Sequence, residues 1–293
     1  MEWQQLEYFQ TLARLQHVTR AAETLSISQS ALSRSIARLE EELGVPLFNR
    51  QGRSILLNRY GELFLERVNR ILIEYNAGKQ ELQDLLHPEH GEVALGFLHT
   101  LATSLIPDLL GSFRAHAPTI HFQLTQNHSY SLLEQLNAGK LDLCLIAEPT
   151  ETKLPIQWIP LWSEEIFAIL PPKHPLAGSE SIILEEIANE SFIFLKKGYT
   201  LRETTDDLFR QIGISPKILF EGDEVATAAG LVAAGLGVSL LPDVGDNKKV
   251  ARVLIRKPKG QRVIGMALVK ERYMSPAATR FKEFVLKQFG MVE

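Results

Sequence analysis

The sequence contains very little cysteine and no apolar run suited to a membrane. Cys144 is the only cysteine among 293 residues, so an intrachain disulfide and a zinc site built from several thiolates are both excluded. The uncharged stretch 225–241 is interrupted at Gly235 and Gly237, which predicts a buried helix, a turn and a short strand. The first residues have neither the basic nor the apolar segment of a secretion signal. These absences predict a cytoplasmic protein that does not enter membranes.

Sequence motifs of the common enzyme classes are also missing. The sequence has no Gly-x-Ser-x-Gly elbow, no Walker loop and no His-Glu-x-x-His pattern. Gly235 and Gly237 lack the third glycine of a dinucleotide-binding loop, and they follow a predicted helix instead of a strand. The 8 histidines are scattered along the chain. We therefore predict that the protein is not an enzyme and has no catalytic residues, no metal and no cofactor.

The first 60 residues contain no lysine, although they contain seven arginines and six acidic residues. The whole chain has a formal net charge of −4, which argues against a general basic surface for nucleic acid. Within the segment, the stretch 43–61 has three of the arginines and no acid. A DNA contact made by this segment must therefore be focused on a few side chains.

The N-terminal segment predicts a series of short helices. Leu6, Phe9 and Leu12 recur at helical spacing and give the first helix one apolar face. Thr19 is a candidate N-cap for a second helix over 20–25, and Ser28 is one for a third helix that ends near residue 43. Two short helices with a brief connection are typical of a helix-turn-helix, but also of other small helical subdomains.

The third predicted helix favours the DNA-binding interpretation. Leu32, Ile36 and Leu39 fall on one face and belong to a core, whereas the opposite face is small or basic and has no acid before Glu40. Small side chains let a helix enter the major groove, where arginine and glutamine bond guanine and adenine. The candidate DNA contacts are Gln29, Ser30, Ser33, Arg34 and Arg38 on this helix, with Thr19 and Arg20 at the start of the second helix.

A hairpin and a long helix follow the third helix. Residues 47–50 and 54–57 flank Gln51-Gly52-Arg53, which predicts a wing whose Arg53 reaches phosphate or the minor groove. Asn58 is a candidate cap for a helix that stops before Pro88. Apolar steps of four and three predict a dimer seam, with packing against the helix's own domain as the alternative. The seam positions are Phe64, Val68, Ile71, Tyr75, Gly78, Leu82 and Leu85.

The segment 21–50 has a family pattern. Its matching positions are Ala21-Ala22-Glu23, Leu25-Ser26-Ile27-Ser28-Gln29-Ser30-Ala31-Leu32-Ser33, Ile36, Leu39-Glu40, Leu43-Gly44, Leu47-Phe48 and Arg50. In spacing and residue type this segment resembles the LysR-type transcriptional regulators. Asn58 stands where that family usually has threonine, and asparagine caps a helix equally well. The resemblance continues through Ile106-Pro107, Pro118, Gly139-Lys140-Leu141-Asp142, His174-Pro175-Leu176 and residues 235–242.

The rest of the chain alternates predicted strands with predicted helices. Strands at 92–98, 120–125 and 141–146 alternate with helices at 101–115 and 130–138, which predicts a parallel sheet. A second set extends from 166 to 241, and the chain continues through a strand at 263–269 into a helix at 276–289. The resemblance implies an α/β effector domain of two Rossmann-like lobes, as in periplasmic binding proteins, joined by two crossing strands.

We therefore predict an α+β chain in two parts. A winged helix-turn-helix spans residues 1–58, a dimerising linker helix 59–89, and an α/β effector domain 90–293. The first lobe covers about 90–162 and 267–293, and the second about 163–266. The resemblance also implies a homodimer that assembles as a dimer of dimers on double-stranded DNA, and RNA polymerase is a further candidate partner.

Ligands of α/β sheets bind beyond the carboxyl ends of the strands. Thr100 and Ser129 match the hydroxyl residues that the family places in its inducer cleft; the alternative is that both only cap helices. Donors at helix N-termini, with few acceptors nearby, favour an anion, most simply a small carboxylate or an amino-acid-related metabolite. The candidate effector contacts are His99, Thr100, Asn127, His128, Ser129, Lys196, Tyr199 and Thr200.

These patterns predict a sequence-specific transcriptional regulator whose DNA binding responds to a small molecule held between two lobes. The alternative is a solute-binding protein or an enzyme on the same two-lobed fold. Residues 1–87 discriminate between them, because an enzyme has no use for a groove-fitted helix, a wing and a seam, and no two of the cleft candidates form an acid/base pair. Segments 198–203 and 221–224 look most like regulators of the glutamate-synthase type.

Overall fold

The structure, a computed structural model, describes residues 1–51, 54–86, 91–149, 154–245 and 249–291. Contacts between Cα atoms divide the chain into two units, Met1–Leu85 and Leu86–Glu293. Arg53, at the predicted hairpin tip, and the predicted boundary at residues 89 and 90 lie outside the described residues. The two units are described separately below as the head and the effector domain.

The head is a helix-turn-helix followed by a hairpin and a long helix. Its elements are α1 (Trp3–Leu15), α2 (Val18–Thr24), α3 (Gln29–Leu43), β1 (Phe48–Gln51), β2 (Ser54–Leu57) and α4 (Arg59–Leu86). The strands β1 and β2 pair antiparallel, as expected for a wing. Leu32, Ile36 and Leu39 are buried against α1 and α2, so the predicted core face of α3 is confirmed.

Two of the three predicted caps of the head are confirmed. The Ser28 hydroxyl accepts a hydrogen bond from the amide of Ala31 at 3.2 Å, and the Asn58 Oδ1 accepts one from the amide of Gly61 at 2.9 Å. Thr19, in contrast, does not cap α2. The helix begins two residues earlier, at Val18, because the extended residue His17 precedes it and its ring nitrogen accepts from the amide of Arg20 at 3.4 Å.

Gly61 fixes how closely α4 approaches the preceding loop. A Cβ atom at this position would overlap the carbonyl oxygen of Leu47 and a methyl group of Leu57. The same carbonyl accepts a hydrogen bond from the amide of Asn58 at 3.0 Å. The first turn of α4 is therefore held against the strand-entry loop, and any larger residue at 61 would separate the two.

The effector domain alternates strands and helices along most of its length. Its elements are β3 (Gly91–Phe97), α5 (Leu105–His116), β4 (Ile120–Gln126), α6 (Ser129–Asn137), β5 (Leu143–Ala147), β6 (Ile156–Glu165), β7 (Phe167–Leu170), β8 (Ser181–Ile183), β9 (Ser191–Leu195), α7 (Thr200–Gln211), β10 (Lys217–Gly222), α8 (Val225–Ala233), β11 (Ser239–Leu241), β12 (Ala251–Lys257), β13 (Gln261–Val269) and α9 (Pro276–Gln288).

The first lobe is built on a sheet with strand order β4-β3-β5-β13-β6. The strands β3, β4 and β5 are parallel, but β13 runs antiparallel to both β5 and β6. The prediction of parallel strands is therefore confirmed for β3, β4 and β5, but the whole sheet is mixed because β13 enters it on the way back from the second lobe. The core of the lobe includes Leu95, Leu145, Met266 and Phe281.

The second lobe has its own core, which includes Ile169, Phe192, Phe209 and Ile255. Its four-stranded sheet has the order β11-β7-β12-β8, and β9 pairs in parallel with β10. The long strands β6 and β13 pair over their whole lengths and carry the chain between the lobes.

Several element boundaries differ from the sequence prediction. The strands β6, β8 and β12 were not predicted, and α5 begins at Leu105 because a 3₁₀ turn, His99–Leu101, precedes it. Residues 261–266, which the sequence assigned to the second lobe, belong to β13. Ile264 and Met266 lie in the core of the first lobe because β13 pairs with β5.

Candidate functional site

The exposed face of α3 presents the side chains expected of a DNA-reading helix. Ser28 caps its N-terminus, and all five candidate contacts on the helix are exposed: Gln29, Ser30, Ser33, Arg34 and Arg38. On α2, Arg20 is exposed and Thr19 is half-buried. The face therefore combines a free helix surface, small hydroxyl residues and guanidinium groups, which is the chemistry that phosphate and base edges bind.

The two arginines of this face differ in their surroundings. Arg38 lies 3.4 Å from a carboxylate oxygen of Glu2 and 3.6 Å from one of Glu42. Arg34 forms no ion pair with any residue in the described part of the chain. Arg34 is thus the arginine whose donors face solvent, whereas Arg38 shares its charge with the protein's own acids.

The predicted seam of α4 divides into a buried part and an exposed part. Val68 is fully buried in the head, and the ring centroid of Phe64 lies 5.3 Å from that of Phe9. These two positions therefore serve the core of their own domain, as the alternative interpretation proposed. An exposed apolar stripe remains beside them, and it comprises Tyr60, Leu63, Ile71, Tyr75 and Leu82. The side chain of Leu85 lies outside the described residues.

A cavity between the lobes brings together seven of the eight candidate effector contacts. The turn after β3 supplies His99 and Thr100, and the turn after β4 supplies residues 127–129. The second lobe supplies Tyr199 and Thr200 at the start of α7. The space in this cavity is about 30 Å³, which is room for water but not for a metabolite.

Direct contacts between the lobes close this cavity. The hydroxyl oxygens of Ser129 and Thr200 are 3.3 Å apart, and both residues are buried. The Tyr130 hydroxyl donates to the carboxylate of Glu203, at 3.0 and 3.1 Å from its two oxygens. Thr200 also lines a larger interlobe space of about 820 Å³, so this residue borders both spaces.

The hydroxyl groups of Thr100 and Ser129 do not cap helices. The cap of α6 is His128, whose Nδ1 accepts from the amide of Ser131 at 3.4 Å. Thr100 lies in the 3₁₀ turn, and its hydroxyl accepts from Arg262 at 2.9 Å. The structure thus removes the helix-cap alternative for both residues and leaves their hydroxyl groups facing other polar side chains in the cleft.

The loop before α7 meets an acceptor in the loop before α8, which the sequence prediction underestimated. The Lys196 ammonium lies 2.6 Å from Asp223, and the Tyr199 hydroxyl donates to the same carboxylate at 3.2 Å. The hydrogen bond from Lys196, followed by that from Tyr199, holds the pKa of Asp223 below its ordinary value although partial desolvation opposes the shift. Burial and the nearby Asp223 raise the pKa of Tyr199. Lys196 does not line the cavity; its charge is already paired.

Arg262 is the cleft residue that sequence reasoning missed. It lies on β13 and is only 6% exposed, yet it lines both interlobe compartments. Its Nε donates to Glu164 at 2.5 Å, and its Nη2 donates to the hydroxyl of Thr100. The sequence signal was an arginine directly before the apolar run 263–269, at a position where β13 faces the unpredicted strand β6.

Other chemistry is not assembled in the described part of the chain. No three acidic, histidine or cysteine side chains within it form a group able to hold a metal ion. Cys144 is fully buried, and burial raises the pKa of its thiol well above the ordinary value. Of the helices described, none is both long enough and apolar enough to cross a membrane.

Comparisons with known proteins agree with this architecture. Residues 3–62 match the family described as bacterial regulatory helix-turn-helix protein, lysR family, and residues 87–290 match the LysR substrate binding domain. The chain is 60% identical to the HTH-type transcriptional regulator YybE of Bacillus subtilis, over 99% of this chain and 100% of YybE. It is 35% identical to the transcriptional dual regulator GltC of the same organism, over 100% of this chain and 99% of GltC.

A solved structure extends the likeness to the effector domain. The effector binding domain of QuiR, solved in complex with shikimate, is 32% identical with a TM-score of 0.66, and the match covers 69% of this chain and 98% of that domain. The glutamate-synthase-type resemblance is only weakly supported, because YybE is more similar than GltC. The matched families are those of transcriptional regulators, which excludes the enzyme and solute-binder alternatives. The chain belongs to the LysR family of DNA-binding transcriptional regulators with an effector-binding domain.

Proposed function

We propose that this regulator senses a small carboxylate held between the lobes of its effector domain, and that the bound effector changes how the heads engage DNA. The observation that carries the proposal is the convergence of Thr100, Ser129 and Thr200 from two lobes on one cavity. Hydroxyl donors beside the buried start of α7 suit an anion. The related QuiR domain binds shikimate, which is a small carboxylate.

The effector changes the equilibrium only if it binds two lobe arrangements with different affinity. Ser129 and Thr200 bond each other in the present arrangement, and so do Tyr130 and Glu203. A carboxylate that accepts from the hydroxyls of Ser129 and Thr200 replaces the first contact and separates the lobes. The effector therefore favours a wider interlobe arrangement over the one described.

Two isosteric variants test the effector site. Thr100→Val and Ser129→Ala each delete one hydroxyl and keep most of the side-chain volume. Removing one donor from a buried anion contact costs about 1.5–3 kcal/mol, so affinity falls about 10- to 150-fold. Ser131→Ala is the matched control, because the hydroxyl of Ser131 bonds Gln135 within the same helix α6.

Calorimetry with shikimate and related acids measures these affinities. The proposal predicts that both cleft variants lose affinity while the control does not. Unchanged affinity in both cleft variants contradicts the proposed site and places the effector elsewhere.

In the head, we propose that Gln29, Ser30, Ser33 and Arg34 contact base edges. We assign contacts with the DNA backbone to Arg20, Thr19 and Arg38. We assign contacts with phosphate or the minor groove to Arg53. The exposed surface of α3, which carries no acid before Glu40, supports this assignment. We also propose a homodimer joined through the exposed stripe of α4, two of which assemble into a tetramer on DNA. RNA polymerase is the proposed downstream partner.

A further inference from the structure

The buried arginine on β13 has a position that no other cation of the described cleft shares. The side chain of Arg262 is 4% exposed, and β13 pairs it directly with Glu164 of β6. These two strands carry the chain between the lobes, and Arg262 lines both interlobe spaces. A guanidinium group is thus fixed at the floor of the proposed effector site.

Stability alone is a poor reason for such a residue. Removing two charges from water costs free energy that their mutual attraction offsets only in part, so replacing a buried ion pair with apolar side chains is often neutral or stabilising. The neighbouring cross-strand pair, Val263 with Ser163, carries no charge, so the pairing of β13 with β6 does not itself require an ion pair. The ion pair therefore points to a use for the charge itself.

The donors of Arg262 are only partly used. A guanidinium group has five N–H donors. Within the described part of the chain, its hydrogen bonds are those from Nε to Glu164 and from Nη2 to Thr100. The N–H groups of Nη1 make no hydrogen bond within the described part of the chain, and Arg262 lines the cavity together with Thr100. A planar fork with free donors matches a carboxylate in geometry as well as in charge.

We propose that Arg262 binds the carboxylate of the effector and selects anions over neutral molecules. This inference rests on the proposed function and names its charge-recognition residue. Lys196, the cation favoured by the sequence, is 53% exposed and lies on Asp223, so it contributes little. Thr100 of one lobe and Thr200 of the other line the same cavity as Arg262. Binding at this point therefore involves a strand that carries the chain between the lobes.

The test uses the full-length chain with shikimate, benzoate and lactate, each compared with its methyl ester by calorimetry and thermal unfolding. The double variant Arg262→Met with Glu164→Gln removes both charges and leaves no buried ion unpaired. It should weaken binding of the acid about 10- to 150-fold and leave binding of the ester unchanged. Arg252→Met with Asp243→Asn, which neutralises an ion pair elsewhere in the domain, is the matched control.

Two further variants keep the proposal open to contradiction if the double variant folds poorly. Arg262→Lys retains the charge without the planar fork and should lose about 10-fold in affinity for the acid. Lys196→Ala should lose less than about fivefold. Equal binding of acid and ester, an unchanged affinity in the Arg262 variants, a large loss in Lys196→Ala, or no binding of any of the three acids overturns the proposal. If the Arg262 variants bind normally while Thr100→Val does not, the cleft stays as the effector site and only the role of Arg262 fails.

Discussion

Individual side chains of the recognition helix α3 differ in how much of their chemistry is available to DNA. Arg34 is exposed without an ion pair in the described part of the chain, whereas Arg38 contacts Glu2 and Glu42. A guanidinium group that already shares its charge with two acids gains less from a phosphate than one that faces only solvent. Sequence analysis placed both arginines on this face, and it could not show the contact of Arg38 with Glu2 because the two residues are remote in sequence.

Arg34→Ala should therefore weaken operator binding by roughly 1–3 kcal/mol and relax selection at one base position. Arg70→Ala is the control, since Arg70 lies on α4 and contacts only Glu66 among the described acids. Anisotropy titrations with the operator and single-base variants measure both effects. Equal affinity of Arg34→Ala and the parent for every operator would exclude Arg34 as a base-reading residue.

Lys196 is the main cause of the lowered pKa of Asp223, which lies in the loop before α8. Because Lys196 lowers the pKa of Asp223, the folded state favours the charged carboxylate. The stabilisation from this contact is present above the ordinary pKa of aspartate, and it is lost as the pH falls through the lowered value. Lys196→Ala should raise the pKa of Asp223 towards its ordinary value. Carboxyl ¹³C chemical shifts recorded over pH report it, and an unchanged midpoint would contradict the proposed coupling.

The thiol of the effector domain should be inert in the folded protein. Cys144 is fully buried in β5, and its sulfur lies 3.7 Å from the carbonyl oxygen of Leu132. Burial raises the pKa of the thiol, so little thiolate exists at neutral pH. Labelling with an aromatic disulfide should be slow in the native protein and rapid in denaturant. Fast stoichiometric labelling of the native chain would show that the residue is reachable after all.

At the level of elements, helix α4 serves two purposes with adjacent faces. Val68 and Leu72 complete the core of the head, while Ile71 and Leu82 are exposed on the neighbouring face. The spacing of apolar residues by four and three positions predicted an apolar face on this helix. That spacing could not distinguish a dimer seam from packing in the core of the head. The distinction depends on where α1 packs, and therefore on contacts remote in sequence such as that of Phe9 with Phe64.

Ile71→Lys tests the exposed stripe. A charge buried in a dimer seam is costly, so association should weaken by several kcal/mol while the head stays folded. Val68→Lys is the contrasting variant, because it buries a charge inside the head and should lower the unfolding temperature instead. Light scattering and thermal unfolding separate the two effects. A parental mass for Ile71→Lys at low concentration would contradict the proposed seam.

The elements that positioned the effector site were largely predictable, and the exceptions share a cause. Strands β3 and β9 are short apolar runs followed by polar turns, so the residues at their carboxyl ends could be read from the sequence. The strands β6 and β12 alternate apolar with polar residues and contain proline or charge, which hides them from a search for apolar runs. Arg262 was missed for this reason, since its role depends on the pairing of β13 with β6.

At the scale of the whole molecule, the two lobes of the effector domain have separate cores and meet through polar contacts. Each lobe of the effector domain has its own core, and the contacts between lobes include exchangeable polar pairs such as Ser129 with Thr200. Such contacts are individually weak compared with the cores they join. An anion that competes for these hydroxyl groups can therefore change the lobe arrangement without unfolding either lobe.

The most direct test of this account is an operator-binding titration with and without an acid that binds the effector domain. Crosslinking and sequencing identify the operator, and anisotropy compares the parent with Thr100→Val. The account predicts that both chains bind DNA equally in the absence of the acid, and that the variant needs about 10- to 150-fold more acid for the same response. If the acid alters DNA binding of the two chains at the same concentrations, the cleft between the lobes does not control the heads.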